Sequence, residues 1–136
     1  MIMPIPLAMI LCDHVIIDKR TEKKSLIGIF SNMVTSAFPF RAPHFSIYIS
    51  LTDGHGKYDG RLICSNREGR DIFEARGEIR FPGGAKTVVE MVYDIGGLMF
   101  PEKGIYNFAF YCGNEIIISR ECRVDLIKDI KPGGKA

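Results

Sequence analysis

The chain has 136 residues, of which 46% are hydrophobic and 25% charged, and its formal net charge is +2. This length favours one domain, and the composition is that of a globular protein able to bury a two-layer core. Basic residues are scattered among acidic ones and form no basic stripe, which argues against a nucleic-acid-binding protein.

The N-terminal half contains three predicted strands. The first, at residues 7–17, begins in an apolar segment that is too short to span a bilayer and that no lysine or arginine precedes. We therefore expect a buried strand in a cytoplasmic protein, with no membrane contact. The second predicted strand covers residues 25–35. The prolines within residues 38–43 predict a crossover between sheets, because proline has no backbone N–H group to donate to a neighbouring strand. Residues 45–51 then alternate apolar and polar side chains, which predicts a half-buried strand.

The C-terminal half contains five further predicted strands. Three of them lie at residues 58–66, 71–81 and 87–95, and a closing hairpin around Gly113-Asn114 supplies the last two. About eight strands with Pro- and Gly-rich connections predict an all-β fold, a two-layer antiparallel β-sandwich, with a closed barrel as the alternative. We expect a single domain at residues 1–127 and a flexible C-terminal tail at residues 128–136.

Burial predicts the register of the closing hairpin. A regular two-residue Gly113-Asn114 turn would pair Cys112 with Glu115 and place carboxylates beside core aromatic rings at both ends. A shift of one residue gives a better-matched set: Cys112 with Ile116, Phe110 with Ile118, Phe108 with Arg120 and Tyr106 with Cys122. We therefore expect a three-residue loop or a bulge near the turn.

The predicted core consists of the inward-facing apolar residues of these strands. It comprises Phe30, Phe45, Ile47, Ile49, Tyr106, Phe108, Phe110, Ile118 and Val124. The four cysteines lie in apolar segments without a Cys-x-x-Cys pair: Cys12, Cys64, Cys112 and Cys122. They predict free, reduced thiols in a cytoplasmic protein.

Candidate catalytic and metal-ligating residues are few. Cys12 and His14 share one strand face and could act as a thiol and a base or as two zinc ligands, but no third group completes either site. Asp53, Asp59 and Asp94 lie near loop ends, where aspartate usually caps its own backbone instead of binding calcium. We therefore expect no catalytic residue, no metal and no cofactor.

Several bulky residues are out of phase with the apolar alternation of their own strands. They are Tyr48, Ile63, Val92, Tyr111 and Ile117. Either the predicted phase is wrong or these residues lie on an outer face that a partner covers. The leading hypothesis is a non-enzymatic module that binds a protein or itself, with a dimer possible and with Tyr48 and Tyr111 as the binding residues.

Two alternative functions stay open. The first is binding of a carbohydrate or another small ligand on a sheet face, with Tyr48, Tyr58, Tyr93 or Tyr111 as the aromatic platform. The second is an enzyme that uses Cys12 and His14.

An ordered series of short motifs resembles a bacterial family of small all-β proteins known only as a domain of unknown function. The motifs are Ala8-Met9-Ile10-Leu11-Cys12-Asp13, Leu26-Ile27-Gly28-Ile29-Phe30, Phe38-Pro39, Pro101 and Gly104-Ile105-Tyr106-Asn107-Phe108. The resemblance covers residues 8–126 and implies no catalytic residues. Gly104-Ile105-Tyr106 also resembles the tyrosine corner of immunoglobulin-like domains, in which a tyrosine bonds back to the backbone, although Phe108 occupies the usual cysteine position.

Overall fold

The described part of the chain is built from β-strands. The computed structural model describes residues 2–83 and 87–129, which contain eleven strands and one 3₁₀ turn at Ile127–Asp129. The strands are β1 Ile5–Ile17, β2 Lys24–Ile29, β3 Asn32–Thr35, β4 Phe40–Arg41, β5 Phe45–Thr52, β6 Gly56–Ser65, β7 Asp71–Phe81, β8 Val89–Ile95, β9 Met99–Phe100, β10 Gly104–Cys112 and β11 Glu115–Leu126. The all-β prediction is confirmed, with more strands than the expected eight. Residues 130–136, most of the predicted tail, lie outside the described residues.

Nine of the strands form two sheets. Sheet A has the order β2-β1-β5-β8, and sheet B has the order β3-β11-β10-β6-β7. Strands β4 and β9 form a separate pair with Phe40 opposite Phe100. Among the described strands, the pairs are antiparallel, as predicted, except that β3 runs parallel to β11. Within residues 2–83 and 87–129, no helix is both long and apolar enough to cross a membrane.

The two sheets pack against one hydrophobic core. Phe45 on β5 meets Phe108 on β10 edge-on, with ring centroids 6.0 Å apart, and Tyr93 on β8 lies 6.3 Å from Phe110 on β10. Seven of the nine predicted core residues are buried. The other two, Phe30 and Ile118, are half-buried, because Phe30 lines an open cavity at one end of the core and Ile118 lies beside a bulge.

The strand predicted at residues 25–35 is two strands, β2 and β3, which belong to different sheets. The chain leaves sheet A after Ile29 and joins the edge of sheet B at Asn32. This crossing takes only two residues, so the apolar pattern continues through it and periodicity does not reveal the break. The crossover predicted at residues 38–43 contains the two-residue strand β4, whose short length agrees with the prolines on either side.

The register of the closing hairpin changes along its length, so that it fits the two-residue turn at the tip and the hydrophobic core beyond it. At its tip Cys112 pairs with Glu115 around the two-residue turn, in which Gly113 has φ 60°, so the predicted pairing of Cys112 with Ile116 is wrong. A bulge then shifts the register between Phe110 and Tyr111. Beyond the bulge the predicted pairs are confirmed: Phe110 with Ile118, Phe108 with Arg120 and Tyr106 with Cys122. The local preference of the Gly-Asn turn determines the pairing at the tip, and burial of apolar side chains determines the pairing beyond the bulge.

Tyr106 bonds back to the backbone at the start of β10. The residue is 1% exposed, and its ring lies edge-on to that of Phe100, with centroids 4.8 Å apart. Its hydroxyl donates a hydrogen bond of 2.5 Å to the carbonyl oxygen of Glu102. A buried tyrosine needs such an acceptor, so this contact fixes the loop before β10 against the core.

Sheet A curls so that its two edge strands approach each other. The Nζ atom of Lys24 on β2 lies 2.9 Å from Oε1 of Glu90 on β8, although two strands separate them in the sheet. The Glu90 carboxylate also accepts a hydrogen bond from the Tyr48 hydroxyl on β5. The Tyr48 hydrogen bond and then Lys24 lower the pKa of Glu90, because both stabilise its charged form.

Candidate functional site

The two predicted binding residues, Tyr48 and Tyr111, lie on different sheets. Tyr48 is half-buried on β5 and points away from the core, on the outer face of sheet A. Tyr111 is half-buried on β10, on the outer face of sheet B, where the Arg61 guanidinium lies 5.0 Å from its ring centroid. The structure therefore does not bring these two residues together in one surface.

The other two tyrosines proposed for a sugar platform belong to the core side of the sheets. Tyr58 is 4% exposed, and its ring lies edge-on to Phe81 with centroids 5.7 Å apart. Tyr93 packs against the core and is close to Phe110. Burial raises the pKa of Tyr93, which is consistent with a structural position. The four tyrosines do not form one exposed aromatic face.

Cys12 and His14 share one face of β1, as predicted, and the structure places that face on the outside of sheet A, but their side chains do not bond to each other. The Cys12 thiol points to the backbone carbonyl of His14, with Sγ 3.5 Å from the oxygen. Burial raises the pKa of Cys12, and the charges of Asp13 and Asp94 raise it further. Both effects disfavour the thiolate, which is the nucleophilic form.

His14 and Asp94 belong to a polar cluster at the end of sheet A. The rings of His14 and His44 are stacked with centroids 6.0 Å apart, and Nε2 of His44 lies 3.5 Å from Oδ1 of Asp94. The same oxygen accepts a 2.7 Å hydrogen bond from the buried Ser46 hydroxyl. Within residues 2–83 and 87–129, no group of three or more His, Cys, Asp or Glu residues is arranged to hold a metal ion.

A cavity of about 320 Å³ opens beside this cluster, and we call it the end cavity. The β1–β2 hairpin, β3, β4 and the start of β5 form its walls. Its apolar lining includes Phe30, Phe40 and Phe45, and its polar lining includes Asp13 and His44. These residues come from segments far apart in the chain, so no local motif could have indicated the cavity.

Three isoleucines form an exposed apolar surface on the β1–β2 hairpin. Ile29 pairs with Cys12 and Ile27 pairs with His14, so both share the outer face of sheet A with Ile16. Their exposed fractions are 53% for Ile16, 45% for Ile27 and 60% for Ile29. We call these three residues the hairpin surface. They occur in predicted strands, but only the pairing of β1 with β2 places them together.

Comparison with models of protein families gives a match over most of the chain. The model of a protein family described as a family of unknown function, DUF6941, matches residues 7–125. The chain belongs to the DUF6941 family. This confirms the resemblance to an uncharacterised family, and the match extends over almost the same residues as the motifs that carried it.

The features described above lie within the region of the chain that the DUF6941 model matches. That region includes the hairpin surface, the end cavity and the polar cluster. A comparison with curated proteins finds no match. Bacterial origin and an immunoglobulin-like topology stay predictions from the sequence.

Proposed function

We propose that this DUF6941 protein is a non-enzymatic module that binds a second copy of itself through the hairpin surface. The observation behind this proposal is the grouping of Ile16, Ile27 and Ile29 on one exposed face. Contiguous exposed apolar side chains commonly mark protein contacts. Tyr48 belongs to the same outer face of sheet A, through its pairing with Ile10, and would lie at the margin of the contact.

A second copy suits this surface because the surface itself is uncharged. The residues that pair with it are Cys12, His14 and Ser25, none of which is acidic, lysine or arginine. Two such faces can meet about a two-fold axis without bringing like charges together. The small net charge of +2 adds little repulsion between copies.

A non-enzymatic role is supported by the state of Cys12, whose thiol faces a carbonyl and whose pKa is raised. A cytoplasmic location is part of the proposal, because the four cysteines are buried free thiols, which a reducing compartment preserves.

Sedimentation velocity over a concentration series tests the proposal. Wild type should form a dimer, and Ile27→Lys should shift it to monomer. Removing one isoleucine from each copy costs about 3 kcal/mol, so the dimer Kd should rise about 100-fold or more. The control is Ile116→Lys, which changes an isoleucine of similar exposure, 52%, on β11 of sheet B.

Each outcome has a clear consequence. A wild-type protein that stays monomeric at every soluble concentration would remove self-association. A dimer that survives Ile27→Lys but not Ile116→Lys would place the contact on the other sheet. Alanine variants add an independent comparison: Tyr48→Ala should weaken the dimer modestly, whereas Tyr111→Ala, on the outer face of sheet B, should not.

A further inference from the structure

We propose that the end cavity binds a small organic cation, with its apolar part against the phenylalanine rings and its charge beside Asp13. The end cavity is a different site from the proposed dimer contact, although Ile29 lines the cavity and also belongs to the hairpin surface. The inference depends on three features of the described residues: an aromatic wall, an Asp13 carboxylate that forms no ion pair with a lysine or arginine, and a cavity lining that contains neither lysine nor arginine.

The aromatic wall comes from three separate segments. Phe45 is 2% exposed and is held by the core, and Phe30 lies edge-on to it with centroids 5.9 Å apart. Phe40 stacks on Phe100 with centroids 6.1 Å apart, which fixes its ring as well. Rings held in this way form a pre-shaped apolar wall for the apolar part of the ligand.

Gly28 makes room for the carboxylate at the cavity wall. A Cβ atom on Gly28 would lie 2.3 Å from Oδ2 of Asp13, and Gly28 has φ +72°, which favours glycine. The Asp13 side chain therefore lies directly over the β2 backbone. Within residues 2–83 and 87–129, it makes no ion pair with a lysine or arginine, so its charge is available to a ligand.

The remaining polar lining favours a positive ligand. Among the described residues that line the cavity, there is no lysine or arginine. His44 also lines it, and its Nε2 lies 3.5 Å from Oδ1 of Asp94. A volume of about 320 Å³ is at the small end of ligand pockets, so the ligand is a compact amine.

Titration with three matched probes tests the proposal: benzylammonium, benzyl alcohol and benzoate, in low-salt buffer at about pH 8. Amide chemical shifts in an NMR spectrum report where each probe binds. Benzylammonium should shift the resonances of Asn32, Met33 and His44. Benzyl alcohol should bind more weakly, and benzoate should not bind.

Asp13→Asn should weaken benzylammonium binding about fivefold, the effect of one charge contact in a well-hydrated site. Asp59→Asn, at an exposed aspartate on β6 in sheet B, is the matched control and should change nothing. Binding should persist in Ile27→Lys, which separates this site from the proposed dimer contact.

Three results would overturn the proposal. These are equal binding of the alcohol and the amine, preference for benzoate, and no shift of cavity resonances with any probe. Unchanged amine binding by Asp13→Asn would also exclude the assigned role of its carboxylate.

Discussion

Replacing Phe108 with alanine tests the assignment of the core. The Phe108 side chain is completely buried on β10, between β6 and β11 in the interior of sheet B, and its ring meets Phe45 edge-on. Phe→Ala changes in cores cost about 3–5 kcal/mol, through lost transfer free energy and the cavity left behind. Because strands on both sides prevent collapse around the gap, we expect the free energy of unfolding to fall by about 4 kcal/mol.

Urea denaturation followed by far-UV circular dichroism measures this change. In a thermal melt the same loss should lower Tm by about 12 °C for a domain of this size. Phe108→Leu keeps most of the apolar volume and should lose only about 1.5 kcal/mol, which gives a measurable variant if the alanine protein does not fold. Ile116→Ala, at an exposed position, should change the free energy by less than about 0.5 kcal/mol. A loss below about 1 kcal/mol for Phe108→Ala would show that this face is not the core.

Three further predictions concern single groups. Tyr106→Phe removes the hydrogen bond to Glu102 and should lower the free energy of unfolding by about 1 kcal/mol in urea denaturation; no change would mean that the contact is dispensable. Tyr48 and Lys24 lower the pKa of Glu90 in the folded state, so their stabilisation is present above the ordinary glutamate pKa and lost as the pH falls below it. The difference in urea midpoint between wild type and Glu90→Gln should therefore be largest near neutral pH and shrink between about pH 5 and about pH 3; a constant difference would contradict this. Burial raises the pKa of two of the four thiols to about 11. All four should resist alkylation in the folded protein and react once it is unfolded without reductant, as mass spectrometry would show; an unreactive pair would indicate a disulfide.

Local sequence patterns were sufficient for most of the strands and for much of the core. The alternation from Phe45 to Leu51 appears in the structure as a strand with its four odd-numbered apolar residues buried. The hairpin's existence and its register beyond the bulge were also predictable, because a Gly-Asn turn and the need to bury Phe110 and Tyr106 act over short distances, whereas the predicted pairing at the tip was wrong. The tyrosine back-bond follows for the same reason: Tyr106 and its acceptor are only four residues apart.

The candidate sites required tertiary structure, because their residues come from distant segments. Periodicity near residue 30 does not show that the chain changes sheets, and so it could not predict the parallel pairing of β3 with β11. The end cavity combines Asp13 with Phe40 and His44, and the hairpin surface depends on which residues of β2 face Cys12 and His14. Sequence alone determined which residues form strands and prefer burial, since those preferences are local. Which strands are neighbours, and therefore which side chains meet at the surface, was decided by packing of the whole chain around one core.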